Sequence, residues 1–176
     1  MRKFHGLRKD GQAWPRLVVR RRRPEDDDAA TRLIIGAFPS TDGGPSEVAA
    51  LECLRTASGS AVAFVGVEDG SVVGHVALSP VEVSGQSSGW FGVGPIAVAE
   101  QLTKSATAIA LIEHALLELD QGGARGCVVF GEEGFYSRFG FVPDHGLILT
   151  GIPNNRFLAL TFDGSAQAPG RQLAVY

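Results

Sequence analysis

The chain has 176 residues, of which 44% are apolar and 20% charged, and its net charge is -3. These values fit one globular domain with a sizeable core, and the slight acidic excess gives no electrostatic basis for binding nucleic acid or an anionic membrane. No apolar run approaches the roughly 20 residues needed to cross a bilayer, and Cys53 and Cys127 lie in apolar stretches without metal-ligand spacing, as small buried residues of a reducing compartment do.

Residues 1–15 show little periodicity and are expected to form an N-terminal arm ahead of a single domain over 16–176. The arm is basic but is followed by no apolar segment of the secretory kind, so the expected location is the cytoplasm. "RLVVRRRR" (16–23) reads as a strand whose arginines alternate between two sides. "PEDDD" follows at once and offsets that charge, which favours a solvated strand end over a nucleic-acid patch. Proline and acids in a first turn then open a helix that runs to Phe38. A loop over 39–46 leads to a second amphipathic helix over 47–57, built on Val48, Leu51 and Leu54.

Three strands joined by turns come next. "AVAFVGVE" (61–68) and "VVGHVALSPVEV" (72–83) flank an Asp-Gly hairpin signal. "SGQSSG" (84–89) reads as a turn, and "WFGVGPIAV" (90–98) as the third strand. A helix over 105–121 places Ile109, Ile112, Leu116 and Leu119 on one face, with Glu113, Glu118 and Asp120 away from it and a Gly-Gly stop. After it come a short strand "CVVF" (127–130), a short helix "EEGFYSRF" (132–139) and an extended segment opened by "GFVPD". Strands at 156–162 and 172–176 close the chain. The order β-α-α-β-β-β-α-β-α-β-β implies an α/β (α+β) fold, with a mixed, mostly antiparallel central sheet and helices on both faces.

Three features bear on chemistry. Gly92, Gly94 and Pro95 interrupt an apolar strand, as a bulge does. Such a bulge would free the backbone of Ile96–Val98 for a ligand; a plain sheet irregularity would give the same pattern. "TKSATA" (103–108) starts a helix directly after that strand, where unpaired amides and the helix dipole favour an anion. Lys104 would add charge, and Thr103, Ser105 and Thr107 hydroxyl donors; simple capping by Thr103 or Ser105 explains the same residues. Tyr136, in the short helix, is placed to give a proton to a thiolate, or else packs among Phe135, Phe139 and Phe141. His75 and Glu82, seven residues apart on one strand, fall on opposite faces and form no pair; His75 reads as a half-buried histidine. No nucleophilic triad, metal set, dinucleotide or P-loop fingerprint is present.

"VGHVALSPV", "GVGPIAV", "ALIEHALLELDQGGARGCVVFG" and "FYSRFGFVP", in this order over roughly 17–163, resemble the GCN5-related N-acetyltransferase (GNAT) superfamily, in its small bacterial form. The resemblance implies acetyl-CoA as cosubstrate and no metal. The pantetheine arm would lie along Ile96, Ala97 and Val98, the pyrophosphate on the loop Thr103, Lys104, Ser105, Ala106, Thr107 and Ala108, and Tyr136 would protonate the leaving thiolate. A primary amine of a small molecule or peptide would be the acceptor. The sequence departs from the family pattern at the loop, where Ala106 stands for a glycine and Thr103 for a Gln or Arg, and it lacks the glutamate that many relatives carry on the strand over 90–98; His75, Glu133 or a water chain could serve as base in its place. Those departures support an alternative, a GNAT-fold protein without catalysis that serves as a binding or assembly subunit, with a protein partner or as a homodimer.

Overall fold

The computed structural model describes residues 16–39, 61–83, 86–99, 104–143, 147–149, 157–162 and 171–174. The expected arm over 1–15 and helix over 47–57 lie outside these residues.

The described elements are β1 (Leu17–Arg21), a 3-10 turn (Pro24–Asp26), α1 (Asp27–Ala37), β2 (Val62–Glu68), β3 (Ser71–Val83), β4 (Gln86–Val98), α2 (Lys104–Gln121), β5 (Gly126–Phe130), α3 (Glu133–Tyr136) with a 3-10 turn (Ser137–Phe139), β6 (Leu147–Leu149), β7 (Phe157–Thr161) and β8 (Arg171–Ala174). Six strands run β1-β2-β3-β4-β5-β7, and β8 joins the end of β3 while pairing with β6. Pairing is antiparallel except for β4 with β5 and β6 with β8. The mixed, mostly antiparallel sheet is therefore the expected one. Two details differ. β4 starts at Gln86, inside the segment read as a turn, because it pairs back onto Val83 at once. β6 is an additional strand, since three residues are too few to show a period.

Alternation along the strands divides the interior. On one face Phe64, Val76, Leu78, Val93, Cys127, Val129 and Leu158 pack beneath Leu111, Ala115 and Leu119 of α2. On the other, Ile34 of α1 packs on Ala97, and Val81, Trp90 and Val128 meet Leu147 and Phe157. Helices thus cover both faces. The β2–β3 hairpin closes through Asp69 and Gly70 at φ 49° and 81°, the left-handed pair that an Asp-Gly turn supplies.

The arginine run is tied down by the acids that follow it. Arg20 holds Asp26 with two hydrogen bonds, Nη1 to Oδ2 at 2.6 Å and Nη2 to Oδ1 at 2.8 Å. The Arg23 N–H also donates to Asp26 at 2.8 Å, and Arg22 Nε donates to Asp27 at 2.9 Å. Asp26 is only 4% exposed, so this strand end is less solvated than its composition implies. The Arg20 hydrogen bonds hold the Asp26 carboxyl below the usual carboxylate range, against the upward push of burial. A carboxyl lowered in the folded state stabilises the fold above its unfolded pKa of about 3.9 and loses that contribution as pH falls through the folded value. Asp26→Asn should therefore lower the unfolding free energy by about 2 kcal/mol at neutral pH. In urea titrations the gap from the parent should shrink below about pH 4; a gap that does not change with pH would contradict the pairing.

Candidate functional site

The site is built where β4 parts from β5. Their parallel ladder comprises Trp90↔Gly126, Phe91↔Cys127 and Gly92↔Val128, and goes no further. Just beyond Gly92 the chain bulges. Val76 faces Ile96 while Leu78 faces Val93, so β4 uses one residue more than β3, across a cis Gly94–Pro95 peptide. The extra residue changes which side chains face α2, from Phe91 and Val93 before the bulge to Ile96 and Val98 after it.

Beyond the bulge β4 stays bonded to β3, with Ala97 opposite His75 and the Ala99 N–H donating to the Val73 carbonyl at 2.9 Å. In an antiparallel ladder, bonded positions alternate. Residues 97 and 99 therefore turn their backbone groups to β3, and Ile96 and Val98 turn theirs the other way. Among the described residues, no strand pairs with that second edge.

α2 begins at Lys104, a few residues past the end of β4. The N–H groups of Lys104, Ser105 and Ala106 precede its first i→i−4 bond, and those from Thr107 onward enter the ladder. The helix start sits close to the sheet because its seat is a glycine pair. Gly66 and Gly74 are register partners. A Cβ on Gly74 would stand 2.7 Å from Leu111 Cδ1 and 2.8 Å from Thr107 Cγ2, and one on Gly66 would stand 3.3 Å from Thr107 Cγ2. Thr107, 1% exposed, closes this contact.

Tyr136 lies at the same end, because β5 runs parallel to β4 and α3 follows it directly. Its ring packs against the core cluster that Ile96 and Val98 also join. Phe135 meets it edge-on at 5.0 Å between centroids and Phe141 at 5.8 Å. Burial pushes the phenol above its ordinary pKa, so the group stays a neutral donor through the physiological range.

The fold is shared with known proteins. The chain is 32% identical over 126 residues to the uncharacterized N-acetyltransferase YhbS of Escherichia coli, spanning 71% of this chain and 73% of that protein. A GNAT family acetyltransferase from Brucella melitensis, solved with acetyl-CoA, superposes at a TM-score of 0.74 with 31% identity, covering 92% of this chain and 96% of the other. Escherichia coli YhbS solved with CoA superposes at 0.81 with 27% identity, covering 92% and 91%. The chain belongs to the GNAT superfamily. No protein-family model matches it.

Within the GNAT frame, the residues read from sequence separate into groups. Ile96, Ala97, Val98, Lys104, Ser105, Ala106 and Tyr136 gather at one end of the sheet, but Ala97 spends its backbone groups on β3. Thr103 lies outside the described residues. Thr107 is 1% exposed, with its Cγ2 methyl turned onto the glycine pair. The amides of Thr107 and of half-buried Ala108 belong to the helical ladder. His75, read as half-buried, has no exposed surface, so it is closed to an incoming amine. Glu133 is exposed at the start of α3.

Ala106 is helical and exposed. A glycine is therefore not required there by backbone conformation, which removes the main ground for a disabled loop. Ala106→Gly should lower stability by about 0.5–1 kcal/mol in urea unfolding; a gain would mean that the alanine is strained. Of the two tyrosines in the chain, Tyr136 and Tyr176, Tyr136 should ionise above about pH 10 in an ultraviolet phenolate titration. That late step should vanish in Tyr136→Phe, and its persistence would assign the buried phenol elsewhere.

Proposed function

We propose that the protein transfers the acetyl group of acetyl-CoA to a primary amine of a small molecule or peptide. The observation that carries this reading is the meeting, at one sheet end, of the edge of Ile96 and Val98 that no described strand pairs, the amides ahead of the α2 ladder, and the neutral phenol of Tyr136. The relatives solved with acetyl-CoA and CoA support the same cosubstrate here.

In this reading the pantetheine amides pair with the outward N–H and C=O groups of Ile96 and the C=O of Val98, adding a short pseudo-strand in the gap left by β5 and leaving the Val98 N–H for the thioester. The pyrophosphate rests on the amides of Lys104, Ser105 and Ala106, where the helix dipole and the Lys104 charge favour an anion. The acceptor nitrogen attacks the thioester carbonyl carbon. The Val98 N–H donates to the oxygen that becomes negative, an interaction stronger in the transition state than in the ground state. As the C–S bond breaks, the Tyr136 O–H protonates the sulfur, and the proton released by the acceptor nitrogen as the amide forms restores the phenol. The products are an N-acetyl amide and the free thiol of CoA.

Acetyl-CoA at 100 times its Kd should add about 2.7 kcal/mol of stability. For a chain of this size that is a rise of roughly 5–10 °C in Tm, and no rise at millimolar acetyl-CoA would overturn the proposal. Tyr136→Phe should lower kcat about 100-fold while acetyl-CoA affinity changes little. A loss confined to affinity would make Tyr136 a pocket wall instead of the acid.

A further inference from the structure

Gly131 follows β5 and precedes the helix that carries Tyr136. A Cβ built on it would overlap Cε2 of the Tyr136 ring and stand 3.0 Å from Cδ2 and 3.2 Å from Cζ. Cε2 and Cζ are the hydroxyl end of the ring, so the ring meets Gly131 edge-on, through the edge next to the acid. The rest of the ring is fixed from other directions by Phe135 and Phe141. Gly131 does not adopt positive φ, in contrast to Gly140 at 91°. Its backbone would accept alanine, and only the phenol ring forbids one.

We propose that Gly131 is a positioning residue for Tyr136: the missing side chain is the seat that holds the phenol at the site. It acts through Tyr136 and touches no substrate. A misplacement of about 1 Å lowers a catalytic rate by about 100-fold, and a methyl group at Gly131 would force a shift of that order. The kinetic part of the proposal rests on the acetyl-transfer reading; the seat itself does not.

The test uses Gly131→Ala in the full chain. Ultraviolet titration should show the Tyr136 phenol ionising at lower pH than in the parent, nearer its ordinary range, as the ring is pushed toward solvent. CoA release should then be followed with acetyl-CoA and a primary amine selected from polyamines, aminosugars and peptides. Gly131→Ala should lower kcat at least tenfold and move the KM for acetyl-CoA less than about twofold. In a Tyr136→Phe background the ring, and so the crowding, is kept but the acid is gone. There Gly131→Ala should change kcat less than about twofold. An unchanged titration, or the same kcat loss in the Phe background, would overturn the proposal. Should Gly131→Ala not fold, pairing it with Tyr136→Ala should restore folding by removing the ring, and failure to restore it would also overturn the seat. If acetyl-CoA produces no thermal shift, the functional reading fails, while the titration still decides the seat.

Discussion

Ala97 bonds back to β3, and this hydrogen-bond phase decides what the end of the sheet can offer. The antiparallel ladder fixes alternate residues to opposite edges, so bonding residues 97 and 99 inward turns Ile96 and Val98 outward. The bulge at Gly94–Pro95 lets one strand serve two neighbours in succession. Before it, β4 pairs on both sides; after it, the parallel ladder to β5 has ended. A regular strand would have continued that ladder and consumed the same groups. Exposed strand edges invite pairing with other chains, and here the open stretch is short and lies beside a helix start. A pantetheine arm, with amides spaced along a chain, suits such an edge.

The depth of α2 is set from elsewhere in the chain. Gly66 and Gly74 leave the space into which Thr107 and Leu111 settle, which brings the first turn of the helix down toward the parted strands. Space for a close approach is thus provided by the strands beneath the helix, and the helix itself begins with ordinary residues. Ala106 can be alanine because it is already in helical conformation. The GNAT pattern of glycines in the loop and the glycine pair under the helix concern different contacts, one with phosphate and one with the sheet, and only the second is fixed by the chain's own packing.

Much of this was legible in the sequence. Gly92, Gly94 and Pro95 marked the bulge, and the order of strand, helix, strand and tyrosine placed Tyr136 at the correct end once β4 and β5 proved to be parallel neighbours. The hydrogen-bond phase was not legible, because it depends on the register with β3, which no local pattern encodes. The packed face of α2 is legible only in part, for a related reason. Periodicity weighs large side chains and chose Ile109, Ile112, Leu116 and Leu119. The packed face runs through Thr107, Leu111, Ala115 and Leu119, with Ile112 beside it, and Leu116 is only partly buried. Small residues line the closest approach of a helix to a sheet, so hydrophobicity alone underrates them. Gly131 carries no sequence signal either, since a contact between a strand end and a ring in the next helix leaves no periodic trace.

The raised pKa of Tyr136 raises a question of proton affinity. An ordinary thiol ionises near 8.5 and a phenol near 10, so in water a phenol is a poor donor to a thiolate, and lifting its pKa further makes the transfer harder. Burial, however, disfavours any anion, whichever group bears it. The cluster against which Tyr136 packs also contains Cys127, and burial there pushes that thiol well above its usual range. A thiolate expelled beside Tyr136 would meet the same apolar walls and become a stronger base than in water. Both proton affinities then rise together. The gap between them, which governs the transfer, narrows most when the sulfur leaves on the buried side of the ring. On the proposed reaction the placement of the ring would then matter more than its intrinsic acidity, and a glycine that fixes its hydroxyl edge would belong to the chemistry of the site.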